Sequence, residues 1–199
     1  MRIRIHATRA AVVTFIAAAA TQMAALTLPA SAGEAALPNG KKAITLISAG
    51  GDKLRIGDVT FVADGSGRKF NVSLDAPEFG EEFLSMRPFS CLKGAKETWC
   101  HLAYPYDLEH RIAAGNLVDL EYALLFLFKT PASYGINTWN GLYFKLALDG
   151  DGAIAGTIQD IDLGPLGSPP ADPAARPIQQ TDLFPAQPEA HRFARIEIR

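Results

Sequence analysis

The 199-residue chain holds only two cysteines, Cys91 and Cys100, so neither a multi-bridge scaffold nor a cysteine-rich metal site is available to it. After Ala32 its longest apolar run is Ala123–Phe128, far short of the ~20 residues that span a bilayer, so the remainder reads as soluble. It has no run of Lys or Arg, which argues against nucleic acid or anionic lipid as the main partner. It also has no Gly-x-Ser-x-Gly elbow, nucleotide loop or cofactor frame, so no cofactor is expected.

The first 32 residues carry the clearest signal. Arg2, Arg4 and Arg9 precede the apolar stretch Ala10–Ala20, and Ala30 and Ala32 form an A-x-A site before Gly33. This is the pattern of a cleavable secretory signal peptide, with cleavage expected after Ala32 and a periplasmic or secreted destination. No cysteine sits near the cleavage site, so a lipid anchor on a new N-terminal Cys is not expected. Taking the three leader arginines from the 19 Lys+Arg leaves 16 against 21 Asp+Glu, a mildly acidic mature chain. In an oxidising compartment Cys91 and Cys100 are expected to form one disulfide, worth roughly 2.5–3 kcal/mol for a loop of this size. His101 beside Cys100 supplies a third metal-ligand type, but no fourth ligand stands at a recognised spacing, so no metal site is expected.

Alternation and turn chemistry point to a mainly β chain, α+β at most. Ala43–Ser48, Leu54–Ala63 and Lys69–Leu74 are separated by Ala49-Gly50-Gly51-Asp52 and Asp64-Gly65-Ser66-Gly67, an antiparallel meander with a bulge or bend at Gly57. Phe83–Leu92 and Thr98–Leu102 read as a hairpin stapled by the disulfide, and Gly141–Ile158 as another around Asp149-Gly150-Asp151-Gly152. Asn116 ahead of Leu117-Val118-Asp119-Leu120-Glu121-Tyr122 reads as the N-cap of one helix near 117–128. The alternative for Ala123–Phe128 is a buried strand; its length favours helix. Residues 163–188 are too rich in proline for interior sheet or helix and read as an extended wrap or linker, and 189–199 as a closing strand. The expected architecture is one domain over 33–162, a twisted antiparallel sheet or partly closed barrel of about seven to nine strands with one packed helix.

Each motif competes with a plainer explanation. Asp149 and Asp151 suggest calcium, yet Ala153 stands where an EF-hand loop needs an oxygen ligand and Asp160 where it needs its closing glutamate, so a hairpin turn is favoured. Asn71-Val72-Ser73 fits a glycosylation pattern but lies in an expected strand. Asp75, Glu78, Glu81 and Glu82 could supply paired carboxylates for hydrolysis, but clustered within eight residues of an exposed-looking segment they are read first as a solvated face. His101, His110 and His191 lie in no recognised catalytic frame. The aromatic set Phe89, Trp99, Tyr104 and Tyr106, with Arg87 and His101, is the best candidate ligand site, because aromatic walls with polar tips suit a small-molecule pocket or a partner surface. Core packing is the competing explanation, for these as for Trp139 and Tyr143. The function expected is non-catalytic binding of a small apolar or amphipathic ligand, or of a protein partner, near the stapled hairpin. The alternatives are an envelope structural or interaction protein and a hydrolase using the carboxylates or a His-centred site.

Overall fold

Glycine turns and period-two alternation shape the N-terminal part of the domain. In the computed structural model, which describes residues 36–84 and 87–199, β1 (Gly40–Ile47), β2 (Lys53–Asp64) and β3 (Gly67–Leu74) pair antiparallel in sequence order. The signal peptide expected over 1–32 lies outside the described residues. Phe61 faces its register partner Phe70 across the β2–β3 pair, both buried, while Thr60 and Asn71 stay exposed. The β1–β2 register slips between Ile44 and Thr45, leaving Ile56 as the extra residue of a bulge beside Gly57. A Cβ at position 57 would stand 2.0 Å from the Ser73 carbonyl oxygen, so only glycine lets β3 approach.

The stretch expected as a single strand over Phe83–Leu92 is divided between β4 (Phe79–Leu84) and β5 (Arg87–Leu92), which pair from Phe79 opposite Leu92 to Leu84 opposite Arg87. Folding back in this way buries Leu84 and Phe89 in one cluster, which a single extended strand would not do. β5 continues into β6 (Thr98–His101), and Cys91 and Cys100 are register partners joined by a disulfide.

Next come the two-residue β7 (Arg111–Ile112), the helix α1 (Val118–Ala123) and β8 (Phe126–Lys129). The helix expected near 117–128 therefore stops at Ala123, and its second half is a strand between β6 and β9. Phe126 belongs to one core cluster and Leu127 to another, so both faces of β8 are buried and the alternation disappears into an all-apolar run. Leu117, rather than Asn116, occupies the cap position; Asn116 Oδ1 accepts the Val118 N–H at 3.2 Å.

β9 (Gly141–Leu148) and β10 (Ile154–Ile161) form the second hairpin, and β11 (Phe184–Pro185) and β12 (Arg195–Ile198) complete the sheet. The order is β4-β5-β6-β8-β9-β10-β12-β1-β2-β3-β7, with β11 also paired to β10. The domain is thus mainly β, one antiparallel sheet that does not close, with a single α-helix among the described residues. β12 is the seam: Ile196 and Ile198 pair with Gly156 and Ile154 on one side and with Leu46 and Ile44 on the other.

Two clusters divide the core. Phe61, Phe70 and Ile112 from one end of the sheet meet Leu92, Trp99 and Phe126 from the other, so the sheet curls around this inner cluster. On the outer face Phe89, the disulfide, Leu127 and Tyr143 lie under Leu163, Leu166 and Ile178 of the proline-rich segment. Each such aliphatic side chain contributes about 1.5–3 kcal/mol by leaving water, which holds the segment against the sheet.

Candidate functional site

Because the sheet stays open, the chain must cross from β6 near one end to β7 at the opposite edge. Residues 102–110 make that crossing, and beneath them lies a cavity of about 330 Å³ bounded by β3 and β5. Its walls are His101, Tyr104, Tyr106 and His110, with Asn71 and Leu74 of β3 and Ser90 of β5. The mouth of a curled sheet with mixed aromatic and polar walls is a favoured place for a small ligand.

The four side chains are held in distinct ways. His101 Nε2 lies 3.0 Å from the Ala123 carbonyl oxygen, and its ring packs edge-on against Phe126 at 5.5 Å. Burial pushes its pKa below the ordinary histidine value, so the imidazole is neutral. With Nε2–H donating to the carbonyl, Nδ1 is left as an acceptor. Tyr104 packs edge-on between Tyr106 (5.5 Å) and Tyr122 (4.9 Å), and its buried hydroxyl has no hydrogen-bond partner among the described residues. Burial raises its pKa and keeps it a neutral phenol. Tyr106 donates its hydroxyl proton to the Leu166 carbonyl at 3.1 Å, tying the crossing to the proline-rich segment. His110 has φ of 51°, the one non-glycine residue with positive φ among those described, and its ring meets Phe70 at 5.5 Å. A left-handed histidine carries a conformational cost that the surrounding structure must offset.

The other expected site residues stand elsewhere. Trp99 is 0% exposed in the inner core, packed against Phe126, Phe144 and Phe193, with Nε1–H donating to Glu97 Oε1 at 2.6 Å. Phe89 is buried on the outer face beside Cys91 and Cys100, and the Arg87 guanidinium covers its ring at 5.1 Å. The geometry therefore gathers His101, Tyr104 and Tyr106 in one cavity, leaves Arg87, Phe89 and Trp99 out of it, and adds His110, which sequence pattern did not connect with them. Tyr143 is buried and bound to Glu121, whereas Trp139 is 70% exposed on the loop before β9.

The carboxylate cluster is dispersed. Glu82 pairs with Lys93 at 2.8 Å and with Lys129 at 3.9 Å, and the Lys93 hydrogen bond holds it below the ordinary glutamate range. Glu81, its neighbour on β4, points to the opposite face, and Glu78 is exposed ahead of the strand. Asp149 Oδ1 accepts the Asp151 and Ala153 N–H groups at 3.0 and 2.8 Å, closing the hairpin turn. His191 sits between Glu97 Oε2 (3.1 Å) and Asp160 Oδ1 (2.8 Å), with both ring nitrogens bonded to carboxylates and neither to a hydroxyl nucleophile.

Two acids in the first turn of α1, Asp119 and Glu121, are buried. Asp119 receives Nε and Nη2 of Arg176 at 3.0 and 2.8 Å. Glu121 accepts the Tyr143 hydroxyl, the Leu146 N–H (2.8 Å) and Lys145 Nζ (3.2 Å). Their sequence signal was the company they keep: Leu117, Leu120, Tyr122 and Leu124 surround α1 with apolar side chains, leaving no solvent face wide enough for both acids.

No family model matches the chain, and no curated protein and no solved structure proves similar to it.

Proposed function

We propose that the protein is exported, loses its leader after Ala32, and binds a small amphipathic molecule without transforming it. The observation that carries this is the mouth of the open sheet, where aromatic faces of Tyr104 and Tyr106 stand beside a neutral His101 with an acceptor nitrogen to offer. A ligand with a flat apolar body and one or two hydrogen-bonding tips matches those walls. The cavity of about 330 Å³ suits a compact molecule. The leader-like N-terminus and the paired cysteines support the extracytoplasmic setting.

His110→Gly tests the site. It removes one wall while supplying a residue suited to positive φ, so the fold is expected to keep its unfolding free energy within about 1 kcal/mol. Titration with the amphipathic fluorophore anilinonaphthalene sulfonate should show saturable binding to the native protein that His110→Gly weakens about tenfold, the loss of one edge contact and one hydrogen bond. Equal affinity in both proteins would place the probe elsewhere and remove the reading.

One observation favours a second reading, an envelope interaction protein. Residues 130–140 contain no charged side chain and expose Tyr134 (102%) and Trp139 (70%). Exposed aromatics among Ser, Thr, Asn and Gly are common at protein contacts. Replacing both with Ser would then abolish partner capture and leave fluorophore binding intact.

A further inference from the structure

A second cleft lies on the outer face of β9, bounded by α1, β7 and residues 174–183, with a volume of about 420 Å³. Its walls differ in kind from those of the mouth. Three cations line it, and each is already matched to a carboxylate: Arg176 to Asp119 at 2.8 Å, Lys145 to Glu121 at 3.2 Å, and Arg111 to Asp64 at 3.0 Å. Glu109 adds an acid at the rim. A phosphate or carboxylate ligand would find no unmatched positive charge there. A wholly apolar ligand would strip water from paired charges with nothing to replace it.

What the cleft does offer is hydrogen-bonding capacity of both signs at no net positive charge. The Asn116 side-chain oxygen accepts the Val118 N–H, and its NH₂ group makes no hydrogen bond among the described residues, which leaves it for use as a donor. The Gln180 side-chain amide makes no hydrogen bond among the described residues, and it brings both a donor and an acceptor. The Ile178 stretch of the wall is held in place: Ile178 is buried, and its N–H donates to Tyr122 Oη at 2.7 Å. The Arg176–Asp119 pair anchors the same stretch of chain to α1, so the wall is preorganised.

We propose that this cleft binds a neutral polyhydroxylated ligand of the saccharide class. Vicinal hydroxyls both donate and accept, which suits amides and carboxylates set side by side, and the C–H groups of a sugar ring suit the half-buried Val118 and Leu183 that also line the cleft. The site is separate from the mouth: Asn116, Gln180 and Ile178 take no part in the walls around His101 and His110.

The test is an NMR titration of the folded chain with maltose, cellobiose and N,N′-diacetylchitobiose, with citrate as the anionic probe. A saturable shift of the Asn116 and Gln180 side-chain amide signals by at least one of the disaccharides, with citrate silent, is the expected result. Gln180→Ala should weaken that binding by about 2–12-fold, the loss of one net hydrogen bond, without moving the unfolding midpoint. His110→Gly should leave it unchanged, which separates this site from the mouth. Saturation by citrate, or no saturable shift with any of the three sugars, would overturn the proposal.

Discussion

Replacing His191 should cost the fold far more than its place near the C-terminus suggests. The imidazole bridges Glu97 of the loop ahead of β6 and Asp160 of β10, and Glu97 also accepts the Trp99 Nε1–H and the Arg192 backbone N–H. The His191 and Glu97 side chains are only 6% and 9% exposed, whereas Asp160 is 40% exposed. Breaking the buried partner strands a carboxylate in the core margin, so His191→Ala is expected to lose about 3 kcal/mol, or ~6–12 °C in Tm for a domain of this size. Asp160→Asn, at the exposed end, should lose less than about 1 kcal/mol. The pH dependence has a definite sign. Burial pulls the His191 pKa down, but its bonds to Glu97 and Asp160 more than reverse this and leave it above the ordinary 6.5. Its contribution is therefore whole below pH 6.5 and fades as pH rises through the raised value. Burial pushes Glu97 up, but bonds from His191, Arg192 and Trp99 bring it below 4.5, so its contribution is whole above pH 4.5 and fades as pH falls through the lowered value. The clamp is complete between those two ordinary values. Urea unfolding at pH 5.5 and again above pH 8 should show the native protein losing stability on going alkaline and His191→Ala showing a flatter response. A His191→Ala variant within 1 kcal/mol of the native protein at pH 5.5, or one with the same pH slope, would refute the reasoning.

Other consequences can be measured the same way. The disulfide joins register partners on β5 and β6, so reduction or a Cys91→Ser/Cys100→Ser double replacement should cost roughly 2.5–3 kcal/mol, read as an equal drop in urea stability for both treatments. Gly57→Ala would drive a methyl group into the Ser73 carbonyl, and a loss of about 3 kcal/mol or more is expected by calorimetry, against little change for Gly150→Ala, which has open space. Deleting residues 163–188 strips Leu163, Leu166 and Ile178 from the outer core, so the domain should lose its cooperative unfolding transition rather than simply shed a tether.

Much of the β architecture was legible because its signals are local. Glycine turns at 50–51 and 65 and the Asp149 turn delimit strands whose side chains alternate, and a pair of cysteines nine positions apart needs only a hairpin to meet. What stayed hidden depends on the far side of each element. β8 reads as helix because apolar residues on both faces erase the period of two, and the β4–β5 turn-back has no glycine or asparagine signal of its own. At the candidate site, Tyr104 and Tyr106 could be grouped with His101 because they follow it closely in sequence. His110 joins them only because the chain must cross the open sheet to reach β7, and Trp99, although it shares a face of β6 with His101, drops out because it is fully buried among Phe126, Phe144 and Phe193 of the inner core. The Asp119–Arg176 pair spans 57 positions and had no local signal at all.

Native mass spectrometry of the protein exported through its own leader reads leader removal, the disulfide and bound ligand in one experiment. The expected species is a chain beginning at Gly33, lighter by two hydrogens for the disulfide, carrying a reproducible small-molecule mass that His110→Gly diminishes. A chain that keeps residues 1–32, or a bare mass in both proteins, would contradict the proposed export and binding.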